Sequence, residues 1–396
     1  MPLNRSDNGC NDSSVGAEPA VKRLFLDGET ALMRAAARGD VDEIRRHLDE
    51  CGRRDASGRT ALMIAAEKGR ADCVELLVNR EGGMQDENYW TALMIAAEKG
   101  HADCVELLVN REGGMQDENY WTALMIAAEK GHADCVELLV NREGGMQDER
   151  EQTALMIATE KGHADCVELL VDKEGGLEDR KWKTALMIAA EKGRADCVEL
   201  LVDKEGGMQD ENYWTALMIA AEKGRADCVE LLVDKEGGLE DRKWKTALMI
   251  AAEKGRADCV ELLVDKEGCL RDRKWKTALM IAAEKGRADC VELLVDKEGG
   301  MQDRKWKTAL MIAAEKGHAD CAELLLNREG GIKDKRGWSG LMWMTHISKL
   351  KCMKPLKEKK EGLATNYSCY KYPFSPTTLG ITKMKSYEKI MHLLSG

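Results

Sequence analysis

A mainly α-helical solenoid of about twelve stacked helix-turn-helix repeats is the fold class that this 396-residue sequence predicts. Three observations predict it. A 19-residue phrase, TALMIAAEKGHADCVELLV, recurs almost unchanged. Its copies are 31 residues apart, a period that belongs to stacked-repeat architectures. Within each copy one helical apolar pattern gives way to another across a glycine. The composition agrees: 44% of the chain is hydrophobic and 33% charged, yet only two residues are Phe, the bias of a repeated unit.

The repeat is placed by its leading threonines, Thr60, Thr91, Thr122, Thr153, Thr184, Thr215, Thr246, Thr277 and Thr308. Weaker copies open at Thr30 and Ser339, the second carrying Cys352 at the repeat's cysteine position. A last echo opens at Thr377, after an insertion of about seven residues around Tyr367 to Pro376. The organisation expected is a disordered tail over 1–27, an array of ten 30–31-residue units over 28–338, a degenerate repeat with insertion over 339–376, and a degenerate C-terminal capping repeat over 377–396. A stack needs polar ends, and Arg34, Arg38, Asp42, Arg45 and Arg46 supply one. Pro355 falls inside a helical pattern, where it costs about 3 kcal/mol, so that unit is expected to be distorted.

Each unit reads as two short helices. Thr91 is a good N-cap, since its hydroxyl can accept from a free backbone N–H. Leu93, Ala96 and Ala97 share a face, and Gly100 ends the helix where a left-handed residue is cheap. A second helix runs from about Ala102 to Asn110, with Cys104, Val105, Leu107, Leu108 and Val109 as a broad apolar arc. Gly113 and Gly114 stop it, and MQDENYW leads to the next threonine. One unit alone cannot bury its apolar face, but a stack can.

These residues resemble the ankyrin repeat. Thr-Ala-Leu-Met stands where that family has Thr-Pro-Leu-His; Ala96-Ala97, Gly100-His101 and Leu107-Leu108-Val109 match the rest. The resemblance covers roughly residues 28–395, and the run looks most like the ankyrin-only protein 21.1 family of protists. The repeat is two residues shorter than the family's usual unit, and its Pro and His are replaced, so their hydrogen-bonded cap is lost. The family's glycine two residues before the threonine survives only as Gly58 and Gly337; between them stand Tyr89, Tyr120, Glu151, Trp182, Tyr213, Trp244, Trp275 and Trp306. A bulky residue at positive φ is unfavourable. Either the turn is strained or, as expected, the finger between units is short and irregular and not a full β-hairpin.

Several functions are excluded or made remote. A net charge of −11 does not suit a nucleic-acid binder. No stretch reads as a signal peptide or a membrane span, so the chain is expected in the cytoplasm. The nine stacked cysteines from Cys73 to Cys321 are read as small buried hydrophobes, because copies about 8–10 Å apart cannot form disulfides. His101 and Cys104 share a helix turn, yet Arg70, Arg194, Arg225, Arg256 and Arg287 replace the histidine while the cysteine stays. Arginine does not ligate zinc, so neither a metal nor a cofactor is expected. No phosphate loop, nucleophile elbow or kinase signature occurs, and no enzyme is expected.

The units differ at their finger tips, which read ENYW, ENYW, EREQ, RKWK, ENYW, RKWK, RKWK and RKWK from Glu87 onward. Gly82–Trp90 carries −2 and Gly268–Lys276 carries +3, so the tips turn from acidic to basic. The ankyrin resemblance implies that partner proteins dock on the tips and on the outer side of the first helix. It assigns that role to Trp90, Trp121, Trp182, Trp214, Trp244, Trp275 and Trp306, with Lys183, Lys245, Lys276 and Lys307 beside them. Trp, Tyr and Arg dominate binding hot spots, and the basic fingers fit a partner with an acidic segment. Two rival readings stay open: the aromatics pack finger on finger, or the near-identical units form a structural spacer or elastic rod, for example on the cytoskeleton.

Overall fold

The computed structural model describes residues 28–346. The tail 1–27, Cys352, Pro355, the insertion and the unit at Thr377 lie outside the described residues. Among those described are 21 α-helices and one 3-10 helix, and the only β pairing is an isolated bridge between Lys333 and Ser339. The helices form ten successive pairs, from Ala31–Arg38 with Val41–Arg46 to Ala309–Lys316 with Ala319–Glu329; an eleventh first helix, Gly340–His346, follows. They fall into two compact units, divided between Glu112 and Gly113. Within each unit the first helix of a repeat packs on its own second helix and on the first helix of the next repeat.

The glycine stops act as the sequence predicts, and the threonine caps do so in most repeats, though the hydroxyls of Thr246, Thr277 and Thr308 make no cap bond. The Thr91 hydroxyl accepts from Met94 N at 3.3 Å, and Gly100 closes the helix at φ 74°. Leu93, Met94, Ile95, Ala96 and Ala97 are all buried, because neighbours cover the first helix on several sides. The second helix is longer than expected, Ala102–Glu112. Its Cys104, Val105 and Leu108 are buried, whereas Leu107 and Val109 are half-buried.

One polar fastener recurs in every full unit. The last residue of each full second helix is a glutamate, from Glu81 to Glu329, with at most 1% of its surface exposed. In Glu236, Oε2 accepts from Leu217 N at 2.7 Å and Oε1 from Gly207 N at 3.0 Å. The first bond caps the unit's own first helix; the second reaches back to the preceding finger. Glu112, Glu143, Glu174, Glu205 and Glu267 repeat both bonds. The cap lost with the family's Pro and His is thus supplied from the second helix.

Burial raises the pKa of Glu112, Glu143, Glu174, Glu205, Glu236, Glu267, Glu298 and Glu329, against the opposing pull of the backbone N–H groups. Glu253 moves the other way, to about 2: its desolvation is outweighed by hydrogen bonds and charge from Lys245 and Lys285. Glu129, Glu191 and Glu284 are also lowered. A raised folded-state pKa means the native state holds its proton more tightly. That stability is fully present below the unfolded value and is lost as pH rises through the folded one. The lowered carboxyls contribute stability above the unfolded value and lose it as pH falls. Urea unfolding is therefore expected to show stability rising on acidification from neutral pH toward the ordinary glutamate pKa, about 4.3, then falling below it. The triple change E205Q/E236Q/E267Q should flatten the rising limb; an unchanged slope would remove these carboxyls as its cause.

Candidate functional site

The finger tips are built by an aspartate. Asp86 N donates to Trp90 O at 2.9 Å, and Tyr89 N donates to Asp86 O at 3.1 Å, closing a tight turn. Asp86 Oδ1 accepts from both Asn88 N and Trp90 N at 2.8 Å. Asp241, Asp272 and Asp303 make the same bonds in the basic fingers. With four hydrogen bonds meeting at one residue, three accepted and one donated, the third residue after it is driven into the left-handed region, where Gly58 (φ 76°) and Gly337 (φ 79°) sit freely.

The other fingers keep this turn with bulky side chains. Tyr89, Tyr120, Glu151, Trp182, Tyr213, Trp244, Trp275 and Trp306 all lie at φ 61–66°. The expectation of irregular fingers therefore holds only for the missing β ladder; the turn itself is regular and strained. The side chains at this position project outward, with Trp182, Trp244 and Trp306 exposed by 56%, 48% and 55%.

This geometry sorts the proposed site residues into two positions. Trp182, Trp244, Trp275 and Trp306 occupy the left-handed position, which Tyr89, Tyr120 and Tyr213 share. These tyrosines are equally exposed and belong with them; their signal in the sequence is that they replace the same glycine. Trp90, Trp121 and Trp214 stand one residue later and are half-buried. Lys183, Lys245, Lys276 and Lys307 share that later position and turn inward. Lys183 pairs with Glu191 at 2.8 Å, Lys276 with Glu284 at 2.5 Å, Lys307 with Glu315 at 2.7 Å, and Lys245 with Glu253. The same carboxylates reach forward to the next repeat, Glu253 to Lys285 at 3.0 Å and Glu284 to Lys316 at 3.8 Å. The exposed cations of the tips are instead the Arg-Lys pairs before each Trp, such as Arg242-Lys243 and Arg273-Lys274.

Adjacent fingers touch. Arg273 N donates to Lys243 O at 3.2 Å. Arg242 lies 5.0 Å from the Tyr213 ring centroid, and Arg273 5.8 Å from that of Trp244. Arg304 stands 6.0 Å from the Trp275 ring. These are cation–π distances supplied by an arginine in the following finger, and Arg271 reaches the Trp275 ring from its own finger at 5.1 Å. Trp182 is followed by Glu211, and Trp306 by Lys335.

The His/Arg alternation also has a physical account. His163 Nε2 lies 3.0 Å from Glu129 O, and Arg256 Nε donates to Glu222 O at 3.2 Å. Either side chain can tie its second helix to the first helix of the preceding repeat, so the position asks for a donor. Gly162 (φ 86°) must remain glycine beside it, because a Cβ there would come within 2.8 Å of the Arg194 guanidinium. The nine repeat cysteines are buried to 1% or less. Desolvation pushes Cys104, Cys166, Cys228, Cys259, Cys290 and Cys321 up to about 11. Cys269 is exposed, in a finger. Alkylation of the native chain with peptide mapping is expected to label Cys269 and spare the nine, since thiolate and access control reactivity; labelling of Cys228 at the rate of Cys269 would contradict this burial.

A stack of helix pairs joined by short turned fingers is a repeat solenoid, a class whose surface positions vary over a constant core. A family model described as ankyrin repeats (3 copies) matches residues 4–84, 79–145, 141–208, 203–273 and 268–333. The chain belongs to the ankyrin-repeat family, whose members are generally protein–protein interaction modules. No curated protein matches the chain. No helix among the described residues is long and apolar enough to cross a membrane.

Proposed function

We propose that this chain is a non-catalytic, intracellular scaffold that binds partner proteins along its finger tips and the adjoining first-helix face. It uses no cofactor. The observation that carries the reading is the eightfold placement of a bulky residue, seven times an aromatic, at a backbone position that favours glycine. Non-glycine residues there cost about 1–2 kcal/mol each. Strain of this kind collects at functional sites, and the fold does not require it, as Gly58 and Gly337 illustrate. The Arg-Lys-Trp tips favour a partner with an acidic segment, whose charge would set orientation and on-rate. Within the family, the repeat run resembles the ankyrin-only protein 21.1 group of protists.

The arginine–aromatic stacks favour a second reading, a structural rod whose fingers lock to one another. Affinity capture from cell extract separates the two. The bait is the native chain beside W244A/W275A/W306A, in which alanine keeps the backbone strain and removes the rings. A partner set held by the native chain and lost by the variant supports the scaffold. Identical capture by both baits, or none by either, favours the rod.

A further inference from the structure

We propose that the basic finger tips of one molecule dock on the acidic outer helices of a second copy of this chain, giving open, salt-sensitive self-association. Three consecutive fingers present Arg-Lys-Trp with no acidic finger between them, at 242–244, 273–275 and 304–306. Lys243, Lys274 and Lys305 stay exposed there, unlike the lysines that turn inward after each Trp.

The second helices of the same region carry the opposite character. Ala226–Glu236 exposes three carboxylates, Asp227, Glu230 and Asp234, against one lysine, Lys235. That lysine already lies 3.7 Å from Asp203, and Asp234 in turn lies 3.8 Å from Lys266 of the next helix, so Asp227 and Glu230 carry the excess negative charge. Beside the carboxylates stand Leu231, Leu262 and Leu293, 37–38% exposed, one per helix. The array therefore has one row of cations with indoles and another of carboxylates with leucines.

The two rows share one period, because one 31-residue unit builds both. Packed helices set that step at about 8–10 Å. When one tip of a molecule sits on one outer helix of another, the next two tips face the next two outer helices. Each contact is weak alone, but linked contacts engage at high effective concentration. Indole on leucine gives each contact an apolar centre, and the charges fix the pairing. The interface is heterologous: tips meet outer helices, and each molecule keeps one free surface. Such contacts continue beyond a dimer instead of closing.

Sedimentation velocity of the full chain across a micromolar concentration series tests this. The sedimentation coefficient is expected to rise with concentration at low salt and to return to the monomer value near 1 M salt, where the screening length is about 3 Å. K243E/K274E/K305E and, separately, E230K/E261K/E292K should each sediment as monomers. Their equimolar mixture should associate again, since the native tips of one variant meet the native outer helices of the other. Recovery on mixing also shows that both are folded. A native chain that stays monomeric at low salt overturns the proposal and leaves the tips to an acidic segment of another protein. Variants that still associate alone, or fail to pair when mixed, overturn it as well.

Discussion

Replacing Glu236 by alanine is expected to cost about 2–4 kcal/mol of stability and to split the unfolding of its unit into two transitions, through two lost bonds to backbone N–H groups and the space left behind. The substitution leaves Leu217 N without its acceptor in the buried start of the first helix, and Gly207 N without its acceptor at the part-buried edge of the preceding finger. Each unsatisfied buried donor costs about 1–3 kcal/mol, and the deleted side chain leaves space behind. The loss falls on the junction between two repeats, because one of the two bonds crosses it. In a one-dimensional array a weakened junction uncouples its two sides. Glu236→Gln keeps a single acceptor oxygen and should cost less, about 1–3 kcal/mol. Glu230→Ala, on the exposed face of the same helix, should stay within about 0.5 kcal/mol. Urea unfolding followed by circular dichroism measures all three. A cost below about 1 kcal/mol for Glu236→Ala would mean that the carboxylate is not the fastener.

Returning the left-handed tip position to glycine should act in the opposite direction. Glycine removes about 1–2 kcal/mol of backbone strain and gives back about 0.5–1 kcal/mol through the entropy of the unfolded chain. Tyr120, Glu151, Trp182 and Trp306 have no arginine stacked on a ring to lose; Glu151 has only an exposed pair with Arg180 at 3.6 Å. The quadruple variant Y120G/E151G/W182G/W306G is therefore expected to gain about 2–4 kcal/mol, since separated sites add. Trp244→Gly forfeits the contact with Arg273, worth about 0.5–1 kcal/mol, and should be close to neutral. Thermal or urea unfolding decides it. A quadruple variant less stable than the native chain would show that the tip side chains hold the array together, and the rod reading would gain.

Much of this was open to inspection in the residues. Glu81 lies eight positions after Cys73 and four after Leu77, on the buried face of its helix, so the glutamate's burial was present in the periodicity. It was passed over because a charged residue beside Asn79-Arg80 looks solvated when only the linear run is considered. The tip aspartates recur once per unit, but their bonds to the turn exist only once the backbone has closed around them. The lysines after each Trp depend on the fold in the same way. Position within a finger does not say whether a flexible side chain points outward or finds a carboxylate eight residues along.

The sequence by itself determined the helix pairs, their caps and stops, and the repeat, because these rest on local preferences and on a period written 31 residues apart. It also determined that the cysteines and first-helix alanines face inward, since their spacing follows the helical turn. Only the tertiary structure decided which polar groups are consumed by the stack and which face outward. Glu236 vanishes into a junction, Lys245 folds onto Glu253, and Trp244 is held out at positive φ by an aspartate three residues earlier. Each of these outcomes depends on a backbone donor or a charge brought near by folding, and no local pattern specifies that proximity.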